Sequence, residues 1–366
     1  MKDIYIISKW ALIRRNELVD VPDKLEIHSD FLRKLSREEV ESAFRYVWDI
    51  FYQIYSDMAV SPEDFCLPLY KIDEYNYFSK EAREARTAPW NLFYLLLCLF
   101  ACGEYEGEAF MVDTEAVRKI NKAKKTNILL KVLCDYGFVF EGIKKFNLSS
   151  SNQMEIDYPD NRHILDVLSM VAKKVMVTQL KDIGNYLSHM VAFSNAFISW
   201  NYKVLKEDMH TCTLAEGCDY VADKMHSEME KEVIYTIDKQ LVERGFFVKK
   251  GDTNEGPVIR YYRTQSVYDF ALMSAAGELI LELRIRNAEK CLDYLTECSE
   301  SIIDMFRHTD EGCHNRINGN CRYGVRYMFE NEEKWHCGCC GAPFKIHPVK
   351  EDIMYYLRLV ELGNKR

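Results

Sequence analysis

The sequence predicts an α+β fold, mostly helical in its N-terminal half, with an antiparallel sheet plus helices in its C-terminal half. Two observations predict it. Apolar residues of the first half recur at steps of three and four, which is typical of helices, whereas paired apolar runs joined by glycine-containing turns predict β-hairpins after Gly245. The chain has 366 residues, of which 48% are hydrophobic, so it can form more than one core.

The first clear helix begins at Ser36, because Ser36-Arg37-Glu38-Glu39 has the capping-box pattern. One face of this helix then carries apolar residues up to the turn before Pro62: Val40, Phe44, Val47, Phe51, Ile54 and Met58. A second side carries Trp48, Tyr52 and Tyr55. Aromatic residues at helical spacing pack in cores more often than they form ligand sites, so we expect core packing.

The stretch from Pro89 to Tyr158 predicts three helices followed by a hairpin. The first helix is expected to begin at Pro89 and end at Gly103, and the second to be capped by Asp113 or Thr114. The third is expected to be capped by Thr126 or Asn127 and to end at Gly137. Strand-like segments follow at 138–140, 146–148 and 154–158, the last two joined by a polar turn at 149–153.

This order of elements, over residues 88–158, resembles a winged helix. The resemblance is carried by the order of helices and strands and not by a signature motif. It implies that Lys124 to Tyr136 is the recognition helix, which enters the major groove, and that the hairpin is a wing touching the DNA backbone. The segment Gly142 to Lys145 departs from the pattern, because it interrupts the first strand of the wing. The same class also mediates protein contacts.

A local excess of basic residues coincides with this module. Val117 to Cys134 contains several cations and no acidic residue, and the wing adds two lysines. The candidate nucleic-acid-binding residues are Lys119, Lys122, Lys124, Lys125, Lys131, Lys144 and Lys145. Such a cluster is what phosphate contacts require, although a run of charge is often only a solvated helix face. A weaker basic set, Lys249, Lys250, Arg260 and Arg263, lies on a predicted hairpin further along.

The remaining chain predicts a helical connector and an α+β domain. We expect an N-terminal helical region at 1–87, the winged-helix-like module at 88–162, a connector at 163–225 and the α+β domain at 226–366. In the last domain the patterns predict these elements: a helix at 226–244, hairpins at 246–263 and 268–285, an amphipathic helix at 288–306, a hairpin at 323–335 and a final helix at 353–362.

Five of the 13 cysteines fall between Cys313 and Cys340, within a hairpin segment at about 311–346. Cys337 and Cys340 have the Cys-x-x-Cys spacing followed by glycine, which lets two sulfurs converge on one metal ion. The hairpin would bring Cys321 close to Cys337, and Cys313 would join from the preceding loop. We therefore predict a structural zinc site formed by Cys313, Cys321, Cys337 and Cys340.

The cluster resembles a zinc ribbon, but its first pair is separated by seven residues where a ribbon usually has two. His314, His336 or Cys339 could replace one of the four ligands. A redox site is an alternative for Cys337 and Cys340, disfavoured because the segment after them does not begin a helix. The remaining alternative is a set of partly buried thiols without a metal.

Composition and motifs exclude several classes of protein. The formal net charge of -9 and a pI near 5.6 exclude a surface that is basic all over, so nucleic-acid contact requires a local patch. No secretory leader is recognisable and the longest apolar run, 92–102, is too short to span a membrane, so we expect a cytoplasmic protein. The sequence contains no recognisable catalytic motif: it lacks a nucleophile elbow, a phosphate-binding loop, a dinucleotide fingerprint and a zinc-protease motif.

These observations lead to one preferred hypothesis and two alternatives. The preferred one is a non-enzymatic regulatory or DNA-associated protein of bacterial type, with zinc as a structural cofactor. The first alternative is an interaction or scaffold protein that uses the winged-helix-like module to bind a partner protein or a second copy. The second is an enzyme whose site is assembled from distant residues and leaves no motif.

Overall fold

A computed structural model of the chain describes residues 5–65, 69–70, 80–180, 183–184, 186–206, 217–225, 227–253, 256–264, 267–275, 277–308, 324–336 and 344–365. For residues 80–88 it describes the backbone only. The chain divides into two compact units. Unit 1 contains Met1–Lys181 and Leu187–Leu214, and unit 2 contains Asp182–Tyr186 and Ala215–Arg366. The finer boundaries expected at 87, 162 and 225 stay predictions.

Unit 1 is built mainly from helices. They are α1 (Ile6–Asn16), α2 (Arg37–Val60), α3 (Lys80–Ala101), α4 (Thr114–Ile120), α5 (Thr126–Cys134), α6 (His163–Met176) and α7 (Ser188–Ala192), which continues into a π-helical turn (Phe193–Phe197). The capping box of α2 is confirmed, since the Ser36 side chain accepts from the Glu39 amide and the Glu39 carboxylate accepts from the Ser36 amide.

Helix α3 begins earlier than the sequence predicts. It starts at Lys80 and contains Pro89 in its interior, whereas Pro89 was expected as its first residue. Proline has no amide hydrogen, so position 89 donates no helical hydrogen bond, but the helix continues through it. After Pro89 the side chains from Leu92 to Phe100 are all buried, which agrees with a core helix.

The core of unit 1 is one continuous cluster that joins its N-terminal helices to the later segments. All six predicted apolar positions of α2 are fully buried. Trp200 lies at the centre of an aromatic group: its ring stacks on Phe44 at 4.6 Å and contacts Phe51 at 5.1 Å, and its Nε1 donates to the Phe44 carbonyl at 2.8 Å. On the aromatic side of α2, Tyr55 is fully buried and Trp48 is half-buried, but Tyr52 is exposed, so the expected core packing is found for only part of this side.

A four-stranded antiparallel sheet completes unit 1. Its strands are β1 (Gly103–Glu106), β2 (Ala109–Asp113), β3 (Val139–Glu141) and β4 (Gln153–Asp157), in the spatial order β1-β2-β4-β3. The hairpin of β1 and β2 was not predicted, because its strands are short and contain several charged residues. Asp113 caps α4 as predicted, accepting from the Ala116 amide at 2.9 Å.

Unit 2 contains a five-stranded antiparallel sheet in the order β11-β8-β7-β6-β5. Its strands are β5 (Phe247–Thr253), β6 (Gly256–Tyr262), β7 (Phe270–Ala275), β8 (Glu278–Leu283) and β11 (Phe344–Ile346). Both predicted hairpins are confirmed, although β5 and β6 extend into the turn expected at 251–256. The strand order and the helices of unit 1 confirm the α+β class.

Unit 2 also contains helices and a separate hairpin. They are α8 (Asp219–Ala222), α9 (Glu228–Glu243), a 3-10 helix (Ala288–Glu297), α10 (Glu300–Arg307), the hairpin β9 (Val325–Phe329) and β10 (Glu332–His336), and α11 (Ile353–Asn364). The single helix predicted at 288–306 is wrong, because Cys298 and Ser299 are extended and separate two helices. Within the described residues, none of the helices is both long and apolar enough to cross a membrane.

Candidate nucleic-acid interface

The three helices of the winged-helix-like module follow one another as predicted, but two strands lie between the first and the second helix, where none was predicted. Helix α3 is followed by β2, then by α4 and α5, and then by β3 and β4. Strand β4 pairs with both β2 and β3 in antiparallel register, so the last strand lies at the centre. Strand β1 is an addition at the outer edge, where it pairs with β2.

The wing is the loop between Glu141 and Gln153, and it folds compactly. The strand predicted at 146–148 is wrong, because Lys145 and Phe146 have positive φ angles of 52° and 56°, which bend the chain there. Lys144 pairs only with Asn147 in an isolated bridge, and its amide donates to the Ser150 hydroxyl at 2.8 Å. Both lysines of the wing, Lys144 and Lys145, are exposed.

The other predicted lysines lie on α4, on α5 and on the connection between them. Lys119 is in the last turn of α4, where it forms an ion pair with Glu115 at 2.8 Å. Lys122 and Lys124 lie in the connection, and Lys125 precedes α5 with a φ of 57°. Lys131 is on α5. All of these lysines are exposed.

Helix α5 is buried on one side and exposed on the other. Four of its residues form the buried side: Leu129, Leu130, Val132 and Leu133. The exposed side is a stripe of Asn127, Lys131 and the adjoining Asp135, which recur every four residues. Sequence reasoning missed Asn127 as a candidate, although its four-residue spacing from Lys131 was a usable signal. The cap expected from Thr126 or Asn127 is not formed, because the helix already begins at Thr126.

The outer face of the four-stranded sheet is acidic. Cross-strand pairing places Glu104, Met111, Glu155 and Glu141 in one row. Glu104 and Glu141 are exposed, and Glu155 is half-buried. This row would repel phosphate groups, so the candidate surface for nucleic acid consists of the α4–α5 connection, the stripe of α5 and the wing.

His189 of α7 does not add to the basic surface. Burial lowers the pKa of His189, and the positive charge of Lys122 lowers that pKa further. The usual pKa of histidine, near 6.5, is already below physiological pH. A lowered pKa therefore keeps the imidazole neutral.

The four predicted zinc ligands, Cys313, Cys321, Cys337 and Cys340, lie outside the described residues, as do His314 and Cys339. The hairpin between them is described. Val325 pairs with His336 at its open end, so the chain enters and leaves the hairpin at neighbouring points. His336 is buried, and its Nε2 lies 2.9 Å from the Tyr327 hydroxyl, which in turn donates to the Phe306 carbonyl.

The cysteines that the structure describes are protonated thiols. Burial raises the pKa values of Cys98, Cys218 and Cys291 to about 12, so these groups are poor nucleophiles and poor metal ligands without deprotonation. Among the described residues no group of three or more His, Cys, Asp and Glu side chains is placed to hold a metal ion.

The weaker basic set on β5 and β6 is divided between two faces of the sheet. Lys249 and Arg260 are directly paired and share one face, whereas Lys250 alternates to the opposite face. Arg263 lies beyond the end of β6, with its guanidinium 4.8 Å from the centroid of the Phe246 ring.

Comparisons with known proteins gave no relative for this chain. No protein-family model matches it, and no curated protein and no solved structure matches it significantly.

Proposed function

We propose that the protein binds double-stranded DNA through the winged-helix-like module and acts as a non-enzymatic regulatory or DNA-associated protein. One observation carries the proposal: the winged-helix-like module presents exposed lysines on the α4–α5 connection, on the exposed side of α5 and on the wing. In DNA-binding proteins of the helix-turn-helix type the corresponding helix enters the major groove.

Charge distribution supports a limited contact. Six exposed lysines lie on these three segments, and the exposed Lys119 lies at the end of α4, where it pairs with Glu115. The acidic row on the sheet would face away from the phosphates. Lysine gives affinity through release of counterions, and Asn127 on the stripe of α5 is a residue type that reads adenine in the major groove.

The test is retention of duplex DNA at low salt by the full chain. We expect Lys125→Glu with Lys131→Glu to abolish retention, because two attractive contacts become repulsive. Lys24→Glu with Lys239→Glu is the matched control, since both residues are exposed and lie elsewhere in the sequence. The control should retain DNA as the parent does. A parent that is not retained, or equal losses in both double variants, would refute the proposal.

A second candidate function, partner or self-association through the same module, is favoured by the acidic sheet face and the net charge of -9. A surface rich in glutamate suits a basic protein partner better than a polyanion. This candidate predicts a solution mass above one chain and no effect of Lys125→Glu with Lys131→Glu on assembly. Light scattering of the parent and this variant separates the two functions. An enzymatic function stays a third hypothesis.

We also propose a structural zinc ion held by Cys313, Cys321, Cys337 and Cys340. The support is their spacing and the described hairpin, whose paired ends Val325 and His336 lead into the segments that carry them. The ion would hold the cysteine-rich segment of unit 2 in place, since a bound zinc can contribute about 10 kcal/mol to a small module.

A further inference from the structure

One face of the sheet in unit 2 carries an unusual number of cations. A single row of paired residues crosses all five strands: Lys345, Glu282, Ala271, Arg260 and Lys249. Arg284 lies two residues beyond Glu282, on the same face. The opposite face packs on helices, as shown by Tyr261, whose hydroxyl donates to Asp238 of α9 at 2.8 Å.

Lys249 and Arg260 face each other directly on neighbouring strands. Side chains opposite each other in an antiparallel pair have Cβ atoms about 5 Å apart, and like charges in this position are destabilising. Both side chains are only half-buried. The pair therefore creates a concentrated positive potential that an anion would neutralise.

Arg260 has no carboxylate within ion-pair distance in the described part of the chain. Its guanidinium donates to the Tyr186 hydroxyl and lies 5.3 Å and 5.2 Å from the ring centroids of Tyr186 and Tyr268. A guanidinium has five N–H donors, and tyrosine hydroxyls account for only part of them. The guanidinium is half-buried, and its remaining N–H donors suit an external oxyanion, since a guanidinium forms strong charge-assisted hydrogen bonds with such groups.

The carboxylate nearest in this row is already engaged. Glu282 is buried, its Oε1 is 3.0 Å from the Lys345 ammonium, and its Oε2 accepts from the Tyr268 hydroxyl at 2.9 Å. Arg284 approaches the same tyrosine ring, with 4.9 Å between its guanidinium and the centroid. Asp269, the other carboxylate on this face by register, accepts from the Asn364 amide at 3.3 Å.

The absence of a side chain at Gly251 leaves room for the Tyr186 ring over the sheet. A Cβ atom at Gly251 would overlap the Tyr186 ring, so only glycine lets the ring lie at this place on β5. Segment 182–186 belongs to unit 2 although the residues on both sides of it belong to unit 1. The chain therefore brings a separate residue to Arg260, which fixes the orientation of its guanidinium.

We infer that Lys249 and Arg260 form a binding site for the phosphate group of a small phosphorylated ligand, with Tyr186 as the orienting residue. Beside the two cations lie the rings of Phe247 and Tyr262, stacked at 5.3 Å and half-buried, with the Lys249 ammonium 5.4 Å from the Tyr262 centroid. A planar group next to the phosphate would rest on these rings, so a nucleoside monophosphate fits better than phosphate alone. The site is independent of the proposed DNA contact, because it lies in unit 2.

The test is calorimetric titration of the full chain with inorganic phosphate and with adenosine monophosphate. The parent is expected to bind both, the nucleotide more tightly. Arg260→Met should weaken phosphate binding by at least about tenfold, because charge-assisted hydrogen bonds are lost. Lys249→Gln should weaken it similarly and serves if Arg260→Met does not fold. Lys239→Gln, an exposed position on α9, is the control and should bind as the parent does.

Three results would overturn the inference: no phosphate binding by the parent, unchanged affinity in Lys249→Gln, or equal losses in Lys249→Gln and Lys239→Gln. Gly251→Ala adds a readout for Tyr186. Displacement of the ring should weaken phosphate binding while far-ultraviolet circular dichroism stays unchanged. Loss of nucleotide preference in Tyr262→Ala, with phosphate affinity kept, would identify the ring as the surface for the planar group.

Discussion

Two tryptophans of unit 1 make the same hydrogen bond in different surroundings. Nε1 of Trp200 donates to the Phe44 carbonyl at 2.8 Å, and Nε1 of Trp48 donates to the Val19 carbonyl at 3.0 Å. Trp200 is fully buried, whereas Trp48 is half-buried and stacks on the exposed Tyr52. Substitution by phenylalanine removes the N–H donor at both sites. The difference in lost free energy of unfolding between the two variants therefore measures the effect of burial.

Trp200→Phe should lower the free energy of unfolding by about 3 kcal/mol. About 1 kcal/mol comes from the lost hydrogen bond. The rest comes from the buried Phe44 carbonyl, which loses one of its donors, and from the space left by the smaller ring. Trp48→Phe should cost about 1 kcal/mol or less, because water can replace the donor there. The difference of about 2 kcal/mol corresponds to roughly a thirtyfold change in the unfolding equilibrium.

Urea unfolding followed by tryptophan fluorescence measures both variants. Four of the five tryptophans lie in unit 1, so the signal reports mainly on that unit. The midpoint of Trp200→Phe should lie about 1 M below that of Trp48→Phe. Equal midpoints, or a lower midpoint for Trp48→Phe, would refute the packing around Trp200.

Three further predictions concern the helix cap, the pH dependence and the metal. Ser36→Ala should destabilise the chain by about 1 kcal/mol in the same urea assay, since α2 loses its cap, and no change would contradict the capping box. Burial raises the pKa of Asp166, while the Tyr105 hydroxyl, donating at 3.2 Å, opposes the rise. The stability from this raised pKa is present below the unfolded pKa of about 4 and is lost as pH rises through the folded pKa. In thermal unfolding, Asp166→Asn should therefore become more stable relative to the parent as pH rises above about 4, and parallel curves would contradict this. Elemental mass spectrometry should find about one zinc per chain, lost in Cys337→Ser with Cys340→Ser, and a parent without zinc would remove the metal site.

Strongly periodic and strongly capped elements were predictable from sequence. Helix α2 was predictable because its capping box and its apolar face indicate the same register, and the hairpin of β7 and β8 because its apolar runs meet at a glycine turn. The hairpin of β1 and β2 was missed, since Gly103–Glu106 has two glutamates and little apolar alternation. The segment becomes a strand only because it pairs with β2 in the folded chain.

Local conformation explains the remaining differences. The strand expected at 146–148 failed because two consecutive residues adopt left-handed conformations, which non-glycine residues seldom show and a sequence pattern does not reveal. Candidate residues on the surface were easier to identify than their relation to one another. The opposition of Lys249 and Arg260 depends on strand register, and the contact of Tyr186 with Arg260 joins positions far apart in the chain.

The salt dependence of duplex DNA binding tests the central claim most directly. With six exposed lysines on this surface, the parent should show a slope of log K against log salt concentration between about −3 and −5. Lys125→Gln with Lys131→Gln should reduce the magnitude of that slope by about 2 and leave the urea midpoint unchanged. Absence of binding at low salt, or the same slope in parent and variant, would contradict the assignment of this surface to DNA.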